Sequence, residues 1–174
     1  MLETIRNRRS VRRFLPKAVE PEKIQDILKA AFFAPTAKNL RPTEFIVIQD
    51  RERAEKLALA TPYAAFAKHA PLIITVCYNT ANARRFHEDC AMAAENIYLA
   101  ATALGLGCCY IQIGDGTEAQ VGPPEAYVKK ALGIPLGYRV LCLMAIGYPE
   151  TMPEAHSDSE YDPSRVHHER FGQP

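Results

Sequence analysis

The sequence predicts an α+β or α/β sandwich, a central sheet covered by helices. Three observations carry this. About four apolar runs of strand length are interspersed with five or six helical patterns in a mixed order. The run LIITVCY (72–78) lacks polar alternation, which suits a strand buried on both faces. The segment 87–104 is apolar around most of its circumference, which suits a helix buried centrally or in a subunit interface. A chain of 174 residues is the size of one domain, expected to run from 1 to 174.

Taken in order, residues 2–9 form a short helix with Leu2 and Ile5 as its apolar side. Glu20-Pro21 opens the next helix, since proline suits a first turn, and Ile24, Ile27, Leu28 and Ala31 follow at helical spacing until Pro35. APTAKNLRPT (34–43) is a loop by its turn formers, EFIVIQD (44–50) a strand and 51–60 a helix. Tyr63–His69 is helical and precedes the strand 72–78. Helix 87–104 follows, stopped by Gly105. CCYIQI (108–113) is a strand ended by Gly114-Asp115-Gly116, Pro123-Pro124 starts a helix to about Leu132, and YRVLCLMAIGY (138–148) is the last strand. From Pro149 the chain is polar and irregular. So long a tail is unusual in a compact domain unless it docks on something, and with the buried helix it suggests an obligate oligomer.

Composition narrows the classes. Hydrophobic residues make up 48% and charged residues 24%, a globular balance, and the net charge is +1. That is a poor basis for a dedicated nucleic-acid binder. No apolar run approaches the roughly 20 residues a membrane-spanning helix requires. MLETIRNRRS has no signal-peptide core, and the five cysteines have no metal-ligand spacing. They read as reduced, buried small hydrophobes of a cytoplasmic protein.

Against that neutral background, Arg6, Arg8, Arg9, Arg12 and Arg13 lie within eight residues. In an extended segment Ser10 and Arg12 share one side, with Arg8 able to join them. Guanidinium forks and a hydroxyl are phosphate ligands, although a solvated basic face or a nucleic-acid arm is also compatible with the cluster. Pro35–Pro42 offers small residues for close backbone approach and the Asn39 amide, or is a plain helix-to-strand connection. Gly105, Gly107 and Gly114 could bring backbone amides to a ligand edge, but glycines at helix ends are common.

In this order, RRSVRRF (8–14), APTAKNLRPTEFIVI (34–48), DCAMAAENIYLAATALGLG (89–107) and IGYP (146–149) resemble the nitroreductase family of flavoproteins. The resemblance covers nearly the whole chain. It implies an α+β three-layer sandwich, a central mixed, mainly antiparallel sheet flanked by helices. It also implies an interlocked homodimer with FMN at the subunit interface, NADH or NADPH as electron donor, and a small-molecule electron acceptor. By resemblance, Arg8, Arg9, Ser10 and Arg12 would hold the FMN phosphate and ribityl chain. Pro35, Thr36, Ala37 and Asn39 would approach the flavin from the partner subunit. The backbone around Ile111, Gln112 and Gly114 would line the ring. VHHERF (166–171) resembles the family's terminal segment, so 149–174 would be an arm that wraps the partner.

The implied reaction is ping-pong transfer of two electrons to a nitroaromatic, quinone or similar acceptor, with the chemistry carried by the flavin. No side chain is assigned as acid, base or nucleophile. Specialised relatives that dehalogenate or fragment flavin, and a flavin-binding redox protein without turnover, are alternatives. Asp89 and Glu95 read as structural, His167 and His168 as tail packing, and Tyr63, His69 and Tyr110 as pocket-lining. Two departures from the family pattern stand out. Arg41 and Thr43 replace the Gln and Trp of many relatives, so Arg41 would favour an anionic substrate or cofactor phosphate, or be an unpaired surface arginine. The stretch ETMPEAHSDSEYDP lacks the Lys or Arg that relatives direct at the FMN phosphate, leaving that contact absent or supplied by Arg165 or Arg170.

Overall fold

The computed structural model describes residues 1–114 and 123–173. Its helices are α1 (Leu2–Asn7), α2 (Pro21–Phe32), α3 (Arg51–Leu57), α4 (Phe86–Ala103) and α5 (Pro124–Leu132). Its strands are β1 (Thr43–Ile48), β2 (Leu72–Asn79), β3 (Gly107–Gln112) and β4 (Tyr138–Gly147). They form one sheet in the order β1-β2-β4-β3, antiparallel at every step. A parallel contribution comes from the N-terminal segment, where Ser10 bridges Cys108 and the Val11 N–H donates to the Cys108 carbonyl (2.9 Å).

The sheet is the middle of three layers because the strands are apolar on both faces. Leu72, Ile74 and Val76 of β2, with Cys142, Met144 and Ile146 of β4, pack under α2 and α4. The alternate residues Ile73, Cys77, Leu143 and Ala145 pack under α3, α5 and the 3₁₀ segment Pro62–His69. Period-two alternation thus feeds two cores, the reason β2 shows no polar alternation in sequence.

The boundaries move modestly. Pro62–His69 is 3₁₀ rather than α-helical, and α3 stops at Leu57 instead of Ala60. A short 3₁₀ turn, Ala37–Asn39, sits inside the expected loop. Leu2 and Ile5 are exposed, so the expected apolar side of α1 faces away from this chain's core. Gly105 (φ +75°) follows the last turn of α4 in the left-handed conformation that ends helices. Asp115 and Gly116, expected after β3, lie outside the described residues. All five cysteines are buried and unbridged, and burial pushes the Cys77 thiol up to about 11 and Cys90 to about 12.

The tail begins by docking on its own chain, antiparallel to the N-terminal segment. Phe14 bridges Pro149, the Glu150 N–H donates to the Arg13 carbonyl, and the His156 N–H donates to the Arg6 carbonyl. Arm residues 157–173 are exposed.

Candidate functional site

The site forms along the edge of β3 that β4 leaves open. Gly107 permits it: a Cβ there would meet the Val11 side chain at 2.7 Å, so only glycine lets the N-terminal segment lie this close. Gly107 therefore serves packing of that segment on β3. With Val11 buried, the alternation of an extended chain turns Ser10 and Arg12 outward together.

Tyr98 of α4 organises the first half of the site. Its hydroxyl lies 2.9 Å from the Ser10 hydroxyl and accepts from the Tyr110 N–H (3.3 Å). Its ring stacks under the Arg8 guanidinium, 5.0 Å from the centroid. The tail supplies the other contacts: an Arg8 Nη lies 3.2 Å from His156 Nε2, Arg9 donates to the Glu154 carbonyl, and Arg6 pairs with Asp158. Arg6 is thus an ion-paired surface residue, while Arg8 and Arg9 are half-buried.

Arg12 belongs to the second half, an open cleft of about 410 Å³ lined with Thr61, Tyr63, Phe66 and β3 residues Cys109–Gln112. The Arg12 guanidinium stands 5.9 Å from the Phe66 ring centroid, and no carboxylate pairs with it among the described residues. The Thr61 hydroxyl is 1% exposed and has no hydrogen-bond partner among the described residues. Burial raises the Cys109 thiol, opposed by the Arg12 charge and the hydroxyls of Ser10 and Tyr98. That thiol thus lies between the two halves of the site.

The structure therefore brings Arg8, Arg9, Ser10, Arg12, Ile111 and Gln112 to one sheet edge. Gly114 is placed differently: its N–H donates to the Leu141 carbonyl (3.0 Å) and its own carbonyl accepts from the Gln112 amide (3.1 Å). Tyr63 and Tyr110 line the cleft as expected, but His69 faces a separate depression beside Pro16 and Arg51. Nothing in the sequence patterning singled out Thr61 or Phe66. Tyr98 had one signal, a hydroxyl on a nearly all-apolar helix face.

The chain compares closely with known proteins at this point. The model of the nitroreductase family matches residues 5–62 and 58–148. The chain belongs to the nitroreductase family. An Archaeoglobus fulgidus relative, provisionally named NADH dehydrogenase/NAD(P)H nitroreductase, is 32% identical over 98% of both chains. An FMN-dependent nitroreductase from Clostridium difficile superposes with a TM-score of 0.93 at 36% identity, covering 98% of this chain and 100% of its own. A Desulfovibrio desulfuricans structure, provisionally named a nitroreductase and solved in complex with FMN, has a TM-score of 0.77. It is 30% identical and covers 91% of this chain and 92% of its own.

The remaining nitroreductase-motif residues lie at the other edge of the sheet. Pro35, Thr36, Ala37 and Asn39 precede β1, and three inter-strand steps separate β1 from β3, about 14 Å. Asp89, 4% exposed in the first turn of α4, holds this loop by accepting from the Ala37 N–H (2.8 Å). Lys38, Asn39 and Arg41 all have positive φ, an uncommon cluster for side-chain-bearing residues. Arg41 is an exposed cation with no ion pair among the described residues; its Nε donates to the Asn39 side-chain oxygen (2.9 Å), and its N–H to the Thr36 hydroxyl (3.0 Å). Arg165 and Arg170 make no hydrogen bond or ion pair with the arginine cluster among the described residues. His167 packs on Phe171 within the arm.

Proposed function

We propose that the chain is an FMN-dependent oxidoreductase that draws electrons from NADH or NADPH and delivers them to a nitroaromatic, quinone or similar small acceptor. One observation carries this reading: the Arg8–Arg9–Ser10 cluster and the Arg12 cleft are continuous along one edge of β3. FMN has matching parts, a phosphate at one end and a flat ring with a polar edge at the other. A cleft of about 410 Å³ is cofactor-sized. The unpartnered Thr61 hydroxyl and the strand-edge backbone at Gln112 suit the ring's polar edge.

When bound, FMN supplies the two-electron chemistry, accepting hydride from the nicotinamide and passing electrons to the acceptor in alternate half-reactions. The protein binds and orients. Arg8, Arg9 and Ser10 hold the phosphate with charge-assisted hydrogen bonds. Arg12 favours negative charge on the ring, where the low-dielectric wall of Phe66 and Ile111 strengthens its effect. Pro35, Thr36, Ala37 and Asn39 stand at the far sheet edge, too distant to close over this chain's cleft. They serve the cleft of the partner in a homodimer with one FMN per chain. Nothing among the described residues favours dehalogenation, flavin fragmentation or binding without turnover. A cytoplasmic location is part of this reading, and no helix among the described residues is long and apolar enough to cross a membrane.

Reconstitution tests this directly. Protein incubated with FMN and desalted should be yellow, hold one FMN per chain and release it on denaturation. Anaerobic NADH or NADPH should bleach the flavin absorbance, and a quinone added afterwards should restore it, each half-reaction proceeding alone. A colourless protein that cannot be loaded with FMN overturns the reading.

A further inference from the structure

Two neighbouring loops at one end of the sheet carry four cations that no carboxylate pairs. The loop before β1 holds Lys38 and Arg41, and the loop after β2 holds Arg84 and Arg85; all four are exposed and make no ion pair among the described residues. Backbone contacts bring the loops together. The Asn79 N–H donates to the Pro42 carbonyl (3.0 Å), and the Ala37 N–H donates to the Asp89 carboxylate (2.8 Å). Asp89 in turn lies one helical turn beyond Arg85, whose carbonyl accepts from the Asp89 N–H (2.8 Å).

Two carboxylates adjoin these cations: Glu88, exposed on the first turn of α4, and Asp89, buried beneath the loop. Residues 35–42 and 80–89 therefore carry a net charge of +2 with His87 neutral, in a chain whose whole net charge is +1. Glu44, the nearest carboxylate on β1, accepts from the Tyr138 hydroxyl (2.9 Å). The loop before β1 also holds its shape. Lys38, Asn39 and Arg41 keep φ of +55°, +55° and +48°, and residues in such conformations gather where a ligand is held. The Nε bond to Asn39 fixes one edge of the Arg41 guanidinium, and its two Nη groups make no hydrogen bond among the described residues.

Resting on the reading above, in which the 35–39 loop serves the partner's cleft, we propose that Lys38, Arg41, Arg84 and Arg85 receive the 2′-phosphate of NADPH as its nicotinamide enters that cleft. The chain then takes NADPH in preference to NADH. The charges match, because a phosphate monoester carries about −1.5 to −2 near neutral pH and is the one group that NADH lacks. Guanidinium forks bind phosphoryl oxygens bidentately, and three arginines with a lysine can surround a dianion. The location suits the ligand as well. The 2′-phosphate is remote from the nicotinamide, so its recognition belongs on the rim of a cleft. Lys38 and Arg41 flank Asn39, which the reading sets at the cleft mouth. The contact is binding alone, with no bond made or broken.

Adenosine 2′,5′-bisphosphate carries the 2′-phosphate without a nicotinamide, so its binding to the FMN-loaded protein reads this contact apart from electron transfer. Calorimetry should find it about tenfold to a hundredfold tighter than adenosine 5′-monophosphate, the range of a charge-assisted hydrogen bond. In anaerobic reduction of the flavin, NADPH should half-saturate at a concentration lower than NADH by a similar factor, and added salt should narrow the gap. The triple variant Arg41→Gln, Arg84→Gln, Arg85→Gln should lose most of both preferences while keeping its FMN and its melting temperature. Arg84→Gln and Arg85→Gln, which leave the hydrogen bonds of the 35–42 loop in place, should each lose part of them alone. Equal binding of the two nucleotides by the wild type, or a triple variant that keeps the preference, overturns the assignment and leaves the FMN reading intact. Faster reduction of a carboxylated than of a neutral nitroaromatic, without a preference for NADPH, overturns it in favour of an anionic acceptor. Protein that cannot be loaded with FMN overturns the FMN reading and this inference with it.

Discussion

Arg12 is where charge and cavity meet in this chain. It is exposed, makes no ion pair among the described residues, and reaches the cleft over the Phe66 ring. Removing it should therefore leave folding untouched and tax only the ligand. A hydrogen bond to a charged group is worth about 1.5–3 kcal/mol, so Arg12→Ala should weaken FMN binding by about tenfold to a hundredfold. Thermal unfolding of the flavin-free protein should not change. Fluorescence titration and a melting curve on the same sample check both halves. Unchanged FMN affinity would remove Arg12 from the site. The sequence pointed to residues that the fold gathers at one sheet edge: Arg8, Arg9, Arg12, Ser10 and the strand segment 111–112. It could not place Tyr98, Thr61 or Phe66 at that edge, although Tyr98 carries a hydroxyl on a nearly all-apolar helix. These come from α4 and the 60s segment, and only the fold sets them against residues 8–12. Nor could it separate the arginines. Arg6, Arg8 and Arg9 meet the tail while Arg12 does not, a distinction made by a strand pairing with residues more than 140 positions away.

Among the elements, the N-terminal segment is the one held in place by other elements rather than by its own structure. Val11 fills the space over Gly107, so Gly107→Ala should push it off β3 and carry Ser10 and Arg12 with it. Overpacking of this kind costs about 1–3 kcal/mol. Chemical denaturation should show a lower midpoint, and FMN affinity should fall although no ligand residue has changed. Undiminished affinity would mean the segment tolerates displacement. The other anchor is at the start of α2, where the Tyr148 hydroxyl donates to Glu20 (2.6 Å) and Lys17 pairs with the same carboxylate (3.4 Å). Glu20 is lowered to about 2 by the Tyr148 hydroxyl first, then by its own backbone N–H and Lys17. A depressed carboxylate stabilises the fold fully above its unfolded value near 4.5 and loses that contribution as the pH falls toward 2. Tyr148→Phe should thus raise the pH of acid unfolding, followed by circular dichroism, with little effect near neutrality beyond the lost bond. The element types were legible because hydrophobic periodicity is local. The 3₁₀ character of Pro62–His69 was not, since the α and 3₁₀ patterns differ little over eight residues.

For the whole molecule, the arm and the α2–α4 face raise the same question from opposite ends. Residues 149–156 are tied to the N-terminal segment, but beyond Tyr161 the arm is exposed and, among the described residues, hydrogen-bonded only within itself, with Phe171 94% exposed. On the body, Phe33 at the end of α2 is 79% exposed and Met92 of α4 is 49% exposed. These lie on neighbouring ground, because α2 and α4 run antiparallel, with the Asn96 amide donating to the Ala30 carbonyl and Lys23 to the Leu104 carbonyl. In the homodimer proposed above, an arm without support from the described residues of its own chain and an uncovered apolar helix pair are complementary, each arm crossing the other chain's body. Burying one phenylalanine contributes about 1.5–3 kcal/mol, and a dimer does so twice for Phe171 alone. Ending the chain after Glu160 should raise the dimer dissociation constant by at least about a hundredfold, read by sedimentation velocity over a concentration series. The arginine cluster and its contacts with Glu154, His156 and Asp158 survive in that truncation, so monomeric protein should still prefer FMN to riboflavin. If the 35–39 loop serves the partner's cleft as proposed, flavin affinity should nonetheless fall in the monomer. A truncated chain that stays dimeric at low concentration would assign the interface to the helices alone.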